Sequence, residues 1–353
     1  MMKKTSKLMS LVIAGAMVLS MTACGGNTAE TTAAATQAQE TAADTAAQAE
    51  ETTAGTEDGT AAQAEGTTYK IGVLQLVQHT ALDAANEGFI AALDDAGIAY
   101  EVDQQNASGD QSACQTVASK FANEKKDLIL AIATPAAQAM VGAVEDTPVL
   151  VTAVTDPAES GLVDTNEKPG ANVTGTSDLT PVKEQIDLLK QLVPDARTIG
   201  VLYCSAESNS KTQADMAKEA IAAAGMESKE YTVSSSNEIQ TVVQSMVGAV
   251  DAVYAPTDNV IAAGMATVGM VAGDNNLPVI CGEAGMVQNG GLATYGIDYY
   301  QLGYMTGQQA VKILTEGASP ADMPIEYLPV EKCELTVNEE TAQTLGIDVS
   351  GLK

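Results

Sequence analysis

The sequence predicts an α/β protein of two similar lobes, each a parallel sheet covered by helices. Three observations carry this. Ile71-Gly72-Val73-Leu74 returns as Ile199-Gly200-Val201-Leu202, and later apolar runs echo at nearly the same offset: Asp127–Ala131 with Asp251–Ala255, and Thr147–Leu150 with Leu277–Ile280. Short apolar runs alternate with helix-like stretches, Ala81–Gly97 and Thr212–Gly225 among them, each ending in Ala-Gly, a helix-stop signal. Such alternation calls for buried parallel strands with helical crossovers. Finally, the segments that follow the apolar runs are polar, as loops at strand ends are.

Taken from the N-terminus, the first segment is a targeting signal. Lys3, Lys4 and Lys7 precede an apolar stretch from Leu8 to Ser20, whose 13 residues fall short of the roughly 20 that a helix needs to span a bilayer. It closes on Met21-Thr22-Ala23-Cys24-Gly25, which resembles a bacterial lipobox and makes Cys24 the expected lipidated N-terminus of the mature protein. An ordinary export signal with an incidental Cys24 is the alternative. Residues 25–68 contain only Gly, Ala, Thr, Glu, Gln, Asp and one Asn. With nothing to bury, they read as a disordered acidic tether with a reach of about 35 Å.

Residues 69–353 hold 14 basic against 38 acidic residues, a net charge of −24 within a whole-chain value of −29. With a single arginine, Arg197, and no basic cluster, nucleic acid is excluded as a partner. The single histidine, His79, excludes a multi-histidine metal site, and no cofactor motif is present. No serine, cysteine or HExxH arrangement supports an enzyme. Cys114, Cys204, Cys281 and Cys333 lack any CxxC pairing; export would permit bridging, but free thiols are expected.

Open α/β sheets bind ligands at the carboxyl ends of their strands. In the first lobe those loops are Gln75–Thr80, Thr134-Pro135 and Thr155-Asp156-Pro157; in the second, Ser205–Ser210, Pro256–Asn259 and Gly282-Glu283. Hydroxyls and backbone N–H groups at Thr134 to Ala137 and at Ser208, Asn209 and Ser210 suit an anion, Ala136 lying within the first of these turns, although ordinary N-capping uses the same residues. Asp156, Asp258, Glu283 and Asp298 are candidates to hold a cation, Asp156 and Glu283 being favoured, with turn or cap roles as the alternative. His79 and Gln78 are candidate pocket walls, and Tyr295 a candidate stacking partner. Gln301–Leu314 reads as a core-packed helix.

The segments Ile71–His79, Ala131–Gln138, Thr152–Pro157, Asn172–Gly175, Ser234–Glu238, Pro256–Asn259 and Ala293–Tyr300 together resemble ABC-importer substrate-binding proteins of the tryptophan/tyrosine type. The likeness runs through residues 69–353. It implies the type I periplasmic-binding-protein fold: two Rossmann-like lobes joined by a hinge and closing on a solute. The first lobe is expected to take residues 69–180 plus about 299–321 and the second 181–298, with 322–353 left unassigned. Passages between lobes are expected near Thr180, Asp298 and Ala321. The resemblance implies an extracytoplasmic receptor, not an enzyme, that is monomeric and tethered to the bilayer by Cys24. It would deliver an aromatic amino acid to a permease and its ATPase. A sensory receptor on the same fold, or a receptor for a sugar, are the alternatives. On this reading the ligand contacts Gln78, His79, Thr134, Ala136, Thr155, Asp156, Ser208, Asn209, Ser210, Thr257, Asp258, Glu283, Tyr295 and Asp298.

Overall fold

The computed structural model describes residues 67–352; Cys24, the signal segment and almost all of the acidic tether lie outside them. No helix among the described residues is long and apolar enough to cross a membrane.

The first lobe opens with β1 (Tyr69–Gln75), α1 (Thr80–Asp95), β2 (Tyr100–Asn106), α2 (Gln111–Glu124), β3 (Leu128–Ile132), α3 (Thr134–Val141), β4 (Val149–Val154) and β5 (Val173–Ser177). The second comprises α4 (Val182–Leu192), β6 (Thr198–Cys204), α5 (Ser208–Ala223), β7 (Glu227–Val233), α6 (Ile239–Met246), β8 (Ala252–Ala255), α7 (Asn259–Ala263), α8 (Met265–Asp274), β9 (Val279–Cys281), α9 (Ala284–Gln288) and β10 (Ala293–Gly296). Then follow α10 (Tyr299–Glu316), β11 (Glu326–Tyr327), β12 (Glu334–Val337) and α11 (Glu339–Leu345).

Two six-stranded sheets result, ordered β11-β5-β4-β3-β1-β2 and β12-β10-β9-β8-β6-β7. All pairings are parallel except that of β10 with β12. Composition explains the strand positions. β3, Leu-Ile-Leu-Ala-Ile, is buried throughout and sits inside its sheet, whereas the edge strand β2, Tyr-Glu-Val-Asp-Gln-Gln-Asn, keeps its polar residues toward water. Helix α1 buries Ala81, Leu82, Ala85, Phe89 and Leu93, a stripe at three- and four-residue spacing.

α10 returns the chain to the first lobe by lying against α1. At Gly88 on α1 and Gly303 on α10, an added Cβ would run into the backbone of the partner helix. β11 then pairs with β5, and the Thr174 hydroxyl donates to Met323 O at 2.7 Å. The expected third passage near Ala321 is therefore displaced. Ala321 remains in the first lobe, its carbonyl accepting from Gly170 N, and the chain crosses between Tyr327 and Glu334 before β12 joins the second sheet. A two-residue strand without an apolar run leaves no sequence signal for that extension.

Candidate functional site

Loops from both lobes meet where the strands end, and β4 supplies the first irregularity there. Its register with β5 shifts between Val151 and Val154, and Ala153 takes a left-handed conformation, φ 54°. Strain of this kind in a non-glycine residue persists where the surroundings over-determine it, and such places cluster at ligand sites. Ala153 faces a small cavity between the lobes, whose free volume of about 10 Å³ suits roughly one water.

The first lobe and its connections line this cavity with His79, Leu82, Ala153, Asp178 and Tyr299, and the second with Asn209, Thr257, Asp258, Asn259, Ala262 and Glu283. His79 meets Asn259 across the cleft, Nε2 to Oδ1 at 3.3 Å. Burial lowers the imidazole pKa, so the ring is neutral around pH 7. Among the described residues, no Lys or Arg lines the cavity.

Three carboxyl groups therefore face a cavity without a protein cation, and they are not equivalent. Asp258 caps α7: its oxygens accept from Ile261 N at 2.8 Å and Cys204 N at 2.5 Å. Glu283 caps α9, Oε1 accepting from Met286 N at 2.8 Å and Oε2 from Gly285 N. Asp178 follows β5 on the first passage between lobes. Its Oδ2 accepts from the Tyr299 hydroxyl at 2.7 Å, while Oδ1 is buried without a partner. Asn209 Oδ1 is likewise unpartnered in the same cavity.

Desolvation sets the electrostatics. Burial pushes Asp178 up to about 6, against the downward pull of the Tyr299 hydroxyl. It pushes Glu283 up to about 7, with help from the nearby Asp178 charge. Behind the cavity wall, Glu207 accepts from Asn259 Nδ2 at 2.6 Å and from Asn209 Nδ2 at 3.3 Å, and burial raises it to about 8. Asp258 is raised for the same reason. An arrangement this poor in cations and rich in buried carboxyl groups is complementary to a compact positive charge.

Of the residues singled out from sequence, His79, Asn209, Thr257, Asp258 and Glu283 come together in the cavity. Thr155 and Ser210 are buried just behind it: Thr155 accepts from Gln213 Nε2 at 2.9 Å, and Ser210 from Asn209 Nδ2 at 3.3 Å. Thr134 and Ala136 are buried at the start of α3 but do not line the cavity; the Thr134 hydroxyl has no partner. Ser208 is exposed and receives a long contact, 3.4 Å, from Gln138.

Four others lie outside the cavity. Asp156 does not reach the cavity, because its carboxylate accepts from Glu159 N and Asn166 Nδ2, both at 3.0 Å, and orders the loop after β4. Asp298 is an exposed cap of α10, accepting from Gln301 N at 3.1 Å. Tyr295 lies within β10 and packs against the apolar core of the second lobe, not in the cavity lining. Gln78 is exposed on an outer groove of the first lobe with Asp83 and Asn86. The residues missed are Leu82, Ala153, Asp178, Asn259, Ala262 and Tyr299. Asp178 obeys the strand-end rule, but its strand, Val-Thr-Gly-Thr-Ser, is not an apolar run.

The chain has counterparts among known proteins. The profile of the ABC transporter substrate binding protein family matches residues 70–351. The chain belongs to that family. A tyrosine-binding protein of Clostridioides difficile (strain R20291) is 45% identical to this substrate-binding protein over 279 residues, 78% of this chain and 80% of that one. A Streptococcus pneumoniae domain solved in complex with L-Trp is 40% identical, with a TM-score of 0.77 over 80% of this chain and 96% of that one. The ligand-free, open structure of a Clostridium difficile substrate-binding protein with adhesive properties is 46% identical, yet its TM-score is 0.62 over 81% and 97% of the two chains. Lower superposition at higher identity is what rigid-body movement of lobes produces. This structure superposes better on the L-Trp complex than on the ligand-free, open one.

Proposed function

We propose that this protein is the extracytoplasmic receptor of an ABC importer and captures an aromatic amino acid by closing its lobes, Asp178 holding the ligand ammonium. The observation that carries the reading is the unpartnered, buried Asp178 Oδ1 in a cavity lined by no Lys or Arg. An ammonium supplies the missing donor and the missing charge together. The ligand's ring would pack on Leu82, Ala153, Ala262 and the Tyr299 face, and its carboxylate would take donors at the first turns of α3 or α5. With about 10 Å³ free, entry requires the lobes to part and reclose less tightly around the solute. A tyrosine-binding relative and a relative complexed with L-Trp support the aromatic class.

Calorimetry with L-tyrosine, L-tryptophan and L-phenylalanine, each beside its N-acetyl form, tests the reading. The free amino acids are expected to bind and the acetylated forms to lose at least a hundredfold, since acetylation removes the charge. Equal binding of both forms, or binding of a sugar only, would contradict it. Membrane attachment through Cys24 is part of the same proposal, and Cys24→Ala is expected to release the protein from the membrane fraction; unchanged retention would refute it.

A further inference from the structure

Three separate elements each bring one unsatisfied atom to the cavity between the lobes. His79 immediately precedes α1, Asp178 follows β5, and Asn209 lies in the first turn of α5. All three residues line the cavity, and His79 Nδ1, Asp178 Oδ1 and Asn209 Oδ1 are buried without a hydrogen-bond partner.

The contacts at the far ends of the amide and the imidazole make both free atoms acceptors. Glu207 Oε2 takes the backbone N–H of Asn259 at 3.3 Å, a group that can only donate, so this oxygen is an acceptor. Two amides turn Nδ2 toward it, that of Asn259 at 2.6 Å and that of Asn209 at 3.3 Å, and Asn209 Nδ2 also meets the Thr257 carbonyl at 3.3 Å. Asn209 Oδ1 is thereby left over. Asn259 in turn presents Oδ1 to His79 Nε2 at 3.3 Å, so the neutral ring carries its proton on Nε2 and keeps a lone pair on Nδ1.

The number of donors decides what such a set recognises. A primary ammonium has three N–H groups, water and a secondary ammonium have two, and a carboxylate has none. We propose that His79 Nδ1, Asp178 Oδ1 and Asn209 Oδ1 form a three-point acceptor site that selects a primary ammonium over an N-alkylated one. The inference rests on Asp178 as the ammonium partner and adds two neutral acceptors to it. His79 belongs to the first lobe and Asn209 to the second, so the ammonium bridges the lobes as they close. A secondary amine leaves one buried acceptor unpaired, and sites built around a hydrogen bond reject ligands that lack it.

The test is calorimetric titration of L-tyrosine, N-methyl-L-tyrosine and N-acetyl-L-tyrosine. N-methylation keeps the charge and removes one donor, and is expected to weaken wild-type binding by about tenfold or more. His79→Phe keeps a ring of similar bulk and removes Nδ1. In this variant L-tyrosine is expected to weaken by about fivefold or more, and the ratio between it and its N-methyl form to shrink to about threefold or less. Loss of the His79–Asn259 contact alone would weaken both ligands equally, and a methyl group rejected only for its bulk would meet the phenyl ring as it meets the imidazole. An unchanged ratio therefore overturns the role of His79. Because His79 is the only histidine of the chain, nitrogen NMR of the wild type reads its ring without any variant. Nε2 is expected to be protonated, and the bare Nδ1 to shift when L-tyrosine binds; a proton on Nδ1 in the complex, or an unmoved Nδ1 resonance, overturns the site. Equal binding of L-tyrosine and its N-methyl form, with the N-acetyl form still excluded, overturns the three-point site and spares the ammonium reading. Equal binding of all three overturns both.

Discussion

At the residue scale the distinction between two aspartates decides the chemistry. Asp156 and Asp178 both follow a strand of the first sheet, but Asp156 spends its carboxylate on Glu159 N and Asn166 while Asp178 keeps one buried oxygen free. Asp156→Ala is therefore expected to leave amino-acid affinity within about twofold, because a loop contact outside the cavity touches neither lobe's half of the site. Calorimetry would show a larger loss if Asp156 did reach the ligand. Sequence patterns favour Asp156 because it falls in a loop after an apolar run, while its Asp-Pro pair points to the turn role that the structure shows. Whether a side chain is spent on its own loop depends on where Asn166 folds back, which no local pattern carries. The same holds for Glu283, which does reach the cavity and still commits both oxygens to the first turn of α9.

At the element scale, α1 and α10 determine whether the residues near Tyr299 meet those near His79. Their close approach depends on Gly88 and Gly303, where the facing backbone leaves no room for a Cβ. Gly303→Ala should force the helices apart and cost about 1–3 kcal/mol, the usual penalty of overpacking. Urea unfolding measures it; an unchanged midpoint would show that the helices can separate freely. The central strands and the major helices were legible in the sequence because their apolar spacing is strong: Leu128–Ile132 is wholly buried, and the stripe from Ala81 to Leu93 faces the core. β11 and β12 were not. Glu326–Tyr327 and Glu334–Val337 are short edge strands, held by sheet pairing and by contacts such as Thr174 to Met323, so their lobe follows from tertiary structure alone.

At the scale of the molecule, a cation-poor cavity between two lobes holds a set of carboxyl groups away from water. The folded-state pKa values of Asp178, Glu283 and Glu207, about 6, 7 and 8, all lie above the roughly 4 of an unfolded chain. Between pH 5 and 8 the folded protein thus holds more protons than the unfolded one, and stability must fall as pH rises. Thermal melting of the ligand-free protein should accordingly show a higher midpoint at pH 5.5 than at pH 8; the opposite trend would mean these groups are solvated. A saturating amino acid should reduce the slope, since its ammonium offsets the charge that deprotonation creates. The central claim is that Asp178 receives that ammonium, and the most direct measurement is calorimetric titration of L-tyrosine and L-tryptophan into the wild type and Asp178→Asn at pH 7.5. Asn keeps the shape and removes the charge, so a loss of at least a hundredfold, or about 3 kcal/mol, is expected, as when one partner of a buried charge pair is removed. Affinity within threefold of the wild type for both ligands would contradict it.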